Sequence, residues 1–99
     1  MDDLGRLRLL RDLLIEPKLS SASSLGEFAN GIESILTSVD EVPGGLKLAY
    51  ATLWEALEVL GVKHQEAGTQ PTAVELAELA AMAARLRKEA DAEITIRGG

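Results

Sequence analysis

The sequence predicts an all-α protein: a small bundle of four helices followed by an extended, strand-like C-terminal tail. Three observations carry this reading. Apolar residues recur at helical spacing in four separate stretches. Cap signals stand in front of two of them. Aromatic residues make up only 3% of a chain that is 46% hydrophobic, so the core must be built from Leu, Ile, Val and Ala. That composition suits helix-on-helix packing and lacks the β-branched and aromatic runs of a sheet protein. The 99 residues form one domain with a modest core, with helices expected at about 3–15, 25–39, 45–60 and 73–91 and the tail at 92–99.

The first helix starts on Asp2 and Asp3, where the macrodipole favours acids. Leu4, Leu7, Leu9, Leu10, Leu13, Leu14 and Ile15 then crowd into twelve positions. Leu7, Leu10 and Leu14 form one face, while Leu9 and Leu13 point elsewhere. A helix apolar around most of its circumference is covered on more than one side. Either it is sunk among the other three helices, or another molecule covers part of it. Pro17 ends the helix at or before Glu16.

A serine-rich connector, Lys18 to Ser23, leads to the second helix. Ser24 and Glu27 have capping-box spacing, S-L-G-E, with Ser24 as the expected N-cap. Leu25, Phe28, Ala29, Ile32, Ile35, Leu36 and Val39 follow on a single face, the cleanest amphipathic pattern in the chain. Gly31 lies inside it, either to admit a close neighbour or simply tolerated.

The third helix is the hub. Leu46, Ala49, Tyr50, Leu53, Leu57 and Leu60 share one face, with Lys47, Glu55 and Glu58 opposite. Gly61 is the expected left-handed stop, with Val62 folding back on Leu57. Trp54 falls at the margin of the stripe, where its ring packs and its N–H stays available. Leu48 and Val59 lie among the charges, as ordinary surface residues or as half of a second contact face. Val62 to Pro71 then reads as a loop, with the only histidine, His64, solvated within it.

Thr72 and Glu75, in T-A-V-E, open the fourth helix with a capping box. Leu76, Leu79, Ala83, Leu86 and Ala90 form its stripe, and Ala77, Ala80, Ala81 and Ala84 a second face of small side chains. From Glu93 to Arg97 polar and apolar residues alternate, which is the strand period. A lone strand has no partner at home. Ile94 and Ile96 are therefore expected to pair with another copy, to join a partner's sheet edge or to lie along a groove, unless the terminus frays.

Charge narrows the range of partners. The net charge is −6, and between Leu19 and Ala84 nine acidic residues face only Lys47 and Lys63. Such a centre repels phosphate backbones, so no nucleic-acid partner is expected. No apolar run reaches the length of a membrane span, and acids directly after Met1 do not suit a secretory leader. The expected location is the cytoplasm or the interior of an assembled particle. Cysteine is absent, which removes disulfides and thiolate chemistry. Serines cluster without a histidine placed for a triad, Gly44-Gly45 lacks a Walker lysine, and Asp40-Glu41 lacks the ligand spacing of a calcium loop. No catalytic, cofactor-binding or metal-binding residue, and no small-molecule substrate, is assigned.

The expected function is that of a non-enzymatic structural or adaptor subunit. It oligomerises or docks into a larger protein assembly, of virion or secretion type, and a homo-oligomer is the expected self-association. Its expected partner-binding residues are Leu9, Leu13, Leu48, Trp54, Val59, Ile94 and Ile96. The alternative is a small acidic regulator, inhibitor- or antitoxin-like, that binds a basic protein.

Overall fold

A computed structural model describes residues 2–17, 19 and 21–98. Among them the chain forms four helices: α1 (Asp3–Ile15), α2 (Ala22–Thr37), α3 (Gly44–Ala67) and α4 (Ala73–Ile96). Each helix packs on two others in the cyclic order α1–α2–α3–α4, with no close backbone approach across the diagonals, in a body of 45 × 21 × 21 Å. The core lies along the axis between them. Leu7 and Leu10 from α1, Leu25 and Ile32 from α2, Leu46, Leu53 and Leu57 from α3, and Leu79 and Leu86 from α4 are its fully buried large side chains. These are the stripe residues of each helix, and burying each contributes on the order of 1.5–3 kcal/mol.

Two helix starts follow local chemistry. Asp2 caps α1 by accepting from the Gly5 amide at 2.8 Å. Thr72 and Glu75 cap α4 reciprocally, as the sequence predicts. A third start differs. α2 begins one turn earlier than Ser24, with Ser21 as N-cap; the Ser24 amide donates to Ser21 Oγ and the Ser21 amide to Ser24 Oγ. A serine at the third helical position closes the box as well as a glutamate does, and Glu27 is left exposed.

Two helix ends also differ from expectation, for one shared reason. α3 does not stop at Gly61. It runs six residues further, to Ala67, and the left-handed stop is Gly68, at φ 66°. The stripe Leu53–Leu57–Leu60 continues into His64, which is buried rather than solvated in a loop. The residues at 92–96 are likewise helical rather than strand-like. Ile94 lies four residues after Ala90 and eight after Leu86, so it extends the buried stripe of α4 and is only 3% exposed. Core burial outweighs the β-propensity of E-I-T-I. The last residue of the expected tail, Gly99, lies outside the described residues.

The crowded leucines of α1 divide three ways. Leu7, Leu10 and Leu14 are buried, Leu4 and Leu13 pack at the core margin, and Leu9 and Ile15 face outward. Gly31 admits a close neighbour, and that neighbour is Leu13: a Cβ at Gly31 would meet its Cδ2 at 3.3 Å. The alanine face of α4 (Ala77, Ala80, Ala81, Ala84) is exposed along its length.

Candidate functional site

Besides a recess of about 270 Å³ between α1 and α2, lined by Leu13, Glu16, Ser24, Glu27 and Phe28, three places concentrate polar chemistry or open space. The first is the α3–α4 hairpin. His64 Nδ1 lies 2.7 Å from Thr69 Oγ1 and His64 Nε2 lies 2.7 Å from Glu75 Oε1. A neutral ring meets both contacts by donating from Nε2 to the carboxylate and accepting the threonine hydroxyl at Nδ1. Glu75 also accepts from the Thr72 amide at 2.9 Å and from Lys63 Nζ at 3.0 Å. The Thr72 amide above all, and Lys63 after it, hold the Glu75 carboxyl down to about 2.

Hydroxyl, imidazole and carboxylate in series are the parts of a nucleophilic triad, but their setting is that of a clamp. Thr69 follows the last turn of α3, and both its amide and that of Gly68 are bonded to the His64 carbonyl. The negative end of the helix dipole lies there, the opposite of what a developing oxyanion needs. The carboxylate is shared with the α4 cap. The trio ties the end of α3 to the start of α4.

The second place is the opposite end of the molecule. Arg97 donates from Nε to Glu93 at 2.7 Å, from Nη1 to Asp3 at 3.2 Å and from Nη2 to the Glu41 carbonyl at 2.7 Å. Glu93 first, and Asp3 with it, push the guanidinium above its ordinary range. Asp3 in turn accepts from the Asp40 amide at 3.1 Å; that bond chiefly, with Arg97, holds its carboxyl below the usual value. Arg6 donates to the Ser38 carbonyl. The start of α1, the α2–α3 turn and the end of α4 are thereby joined. A cleft of about 690 Å³ opens beside them, walled by Val42, Tyr50, Glu93 and Arg97 among others. Glu93 and Arg97 satisfy each other in its wall.

The third place is the seam between α2 and α3. Two recesses, of about 230 and 470 Å³, lie along it on either side of Trp54, which lines both. The helices run antiparallel here, with Ala22 and Leu25 against Gly61. Gly26 and Gly61 give the smaller recess a floor without side chains: nothing lies within 4 Å of a Cβ at Gly26, and at Gly61 only ordinary contacts at 3.9 and 4.0 Å arise. From Ala22 to Glu33 the groove spans eleven residues of α2, about 16 Å at 1.5 Å per residue. Its charged lining consists of Glu33, Glu55 and Glu58, with no lysine or arginine. The field reaches the floor: burial first, and the Glu33 carboxylate with it, raise the Tyr50 phenol above its ordinary value.

The expected partner-binding residues do not form one patch. Trp54 is half-buried in the groove. Leu48 and Val59, 62% and 59% exposed, lie on the outer face of α3 and line neither recess. Leu9 is exposed on α1, diagonally across the bundle from α3, and Ile96 is exposed at the far end of α4. Ile94 belongs to the core and presents no free side chain, whereas Leu13 is half-buried, packed over Gly31 beside a recess between α1 and α2.

Sequence reasoning missed His64, although its spacing from Leu57 and Leu60 is the signal that puts it on the core face. It also missed Arg97, a cation at a helix C-terminus. The pairing of Gly26 with Gly61 left no local signal. Among the described residues no group of three His, Cys, Asp or Glu is placed to hold a metal ion, and no helix is long and apolar enough to cross a membrane. No protein family, no curated protein and no solved structure matches the chain.

Proposed function

We propose that this protein is a non-enzymatic helical adaptor or structural subunit that docks into a protein assembly through the α2–α3 groove. One observation carries the reading. Two glycines on facing helices leave a recess bare of side chains above the buried Ala29 and Leu57, and the chain's single tryptophan stands half-buried beside it. A half-buried aromatic at the lip of a recess is a common anchor of a protein interface. The exposed Leu48 and Val59 behind it, and Ile96 at the end of α4, add apolar surface for further contacts within an assembly.

The test compares the natural chain with Gly26→Leu, whose side chain enters open space and fills the floor. Size-exclusion chromatography with light scattering is expected to show an oligomer, or a complex with a co-purifying protein. Gly26→Leu is expected to release that assembly while its circular dichroism is kept and its melting temperature does not fall below that of the natural chain. A natural chain that is monomeric and pairs with nothing, or an assembly indifferent to Gly26→Leu, overturns the proposal.

A further inference from the structure

We infer that the occupant of the α2–α3 groove is a basic amphipathic helix of a partner protein, about three turns long. The inference rests on the docking role proposed above and adds the chemistry of the partner. Length comes first. The groove runs some 16 Å between Ala22 and Glu33, the rise of about eleven helical residues. It follows the valley between two antiparallel helices, where a third helix sets its side chains between theirs.

Chemistry comes second. The floor is apolar or bare: Ala29, Leu57, Gly26, Gly61 and the Trp54 ring. Asn30 and Gln65 are its neutral polar groups. Every charged group lining it is a carboxylate: Glu58 in one recess, Glu33 and Glu55 in the other. None of the three is held by an ion pair in the described structure. The nearby cations are engaged or placed elsewhere: Lys63 bonds to Glu75 on the α4 side, and Lys47 lines the cleft at the Arg97 end. An acidic helix would face three unneutralised like charges. A basic one places its lysines or arginines on Glu33, Glu55 and Glu58 and its leucine-like side chains over Gly26 and Gly61. Like-charge rejection makes the site selective as well as attractive.

Trp54 reports the event directly, because no other tryptophan is present. The probes are three tryptophan-free amphipathic peptides with the same leucine face. Their polar face is lysine in the first, glutamine in the second and glutamate in the third. Titration of the natural chain with the lysine peptide is expected to move Trp54 emission to shorter wavelength. Binding is expected to be about tenfold tighter than that of the glutamine peptide, as three exposed ion pairs together supply. Most of that advantage is expected to vanish by about 0.5 M salt, where screening is short-ranged. Glu33→Lys combined with Glu58→Lys is expected to shift the preference toward the glutamate peptide, and Gly26→Leu to abolish binding of all three with a melting temperature no lower than that of the natural chain. Equal binding of the three peptides, no binding of the lysine peptide, or charge reversal without effect overturns the basic partner. In those cases an assembly still released by Gly26→Leu leaves the docking role standing. Peptide binding and assembly both indifferent to Gly26→Leu overturn the two together.

Discussion

Two glycines five residues apart on α2 have opposite fates. Gly31 faces α1, and the Leu13 side chain occupies the space its missing Cβ leaves, at 3.3 Å. Gly26 borders α3, and nothing comes within 4 Å of the corresponding position. At Gly31 the α1–α2 seam therefore uses a small residue to bring two helices together, while a recess of about 270 Å³ opens beside it between Leu13 and Phe28. The α2–α3 seam uses one to leave a space. The difference lies in what stands opposite. A leucine at the margin of a crowded helix reaches into the first gap. A second glycine, Gly61, stands across the other, so no side chain from either helix fills it. A glycine in a helix interior costs about 0.5–1 kcal/mol relative to alanine; at Gly31 the close packing offsets that cost, whereas at Gly26 the fold itself recovers nothing.

The comparison holds only if the α2–α3 seam is closed beneath its open surface. Leu53→Ala tests this with the largest expected effect. Leu53 is fully buried on α3, and its truncation is expected to cost about 2–5 kcal/mol in urea unfolding. Trp54→Ala, at the half-buried lip, is expected to cost clearly less and to impair association instead. The reverse order of unfolding midpoints breaks the distinction between core and groove.

His64→Ala probes the neighbouring α3–α4 seam, which is held by polar contacts instead of an open or a filled gap. Loss of a buried ring bonded to Thr69 and Glu75 is expected to destabilise the protein by about 1–3 kcal/mol. A smaller loss means that the clamp contributes little beyond the capping box. The glycine pair itself comes next. Gly26→Ala is expected to stabilise by about 0.5–1 kcal/mol, seen as a higher melting temperature. Gly31→Ala is expected to gain less or nothing, because Leu13 must give way by a few tenths of an ångström. Equal gains at the two positions remove the contrast.

A separate effect is in pH. The Glu75 carboxyl is held at about 2 in the folded chain against an ordinary 4.5, so the unfolded chain binds its proton first. Its contribution to stability is complete above about 4.5 and is lost as pH falls through about 2. Glu75→Gln is expected to flatten the fall in melting temperature between those limits. An unchanged slope means that the capping carboxylate is not the group responsible.

Helix existence and helix starts were legible because their causes are local. Thr72 and Glu75 close their box within one turn, and the apolar stripes of α2 and α3 need no knowledge of what they face. Even the misplaced start of α2 was an error of local degeneracy, since Ser21 with Ser24 and Ser24 with Glu27 offer the same spacing. The docking surface was legible only at Trp54, whose marginal position is a property of its own helix.

Taken alone, then, the sequence determined four amphipathic helices, the residues that form their inner faces and an acidic middle. Tertiary structure decided where α3 and α4 end, that His64 is buried, that Leu13 meets Gly31 and that Gly26 meets open space. A glycine ends a helix only if the next turn has nothing to gain by continuing, and the gain at His64 and Ile94 comes from neighbours distant in the chain. The groove has the same origin, because it exists only where the gaps of two different helices coincide.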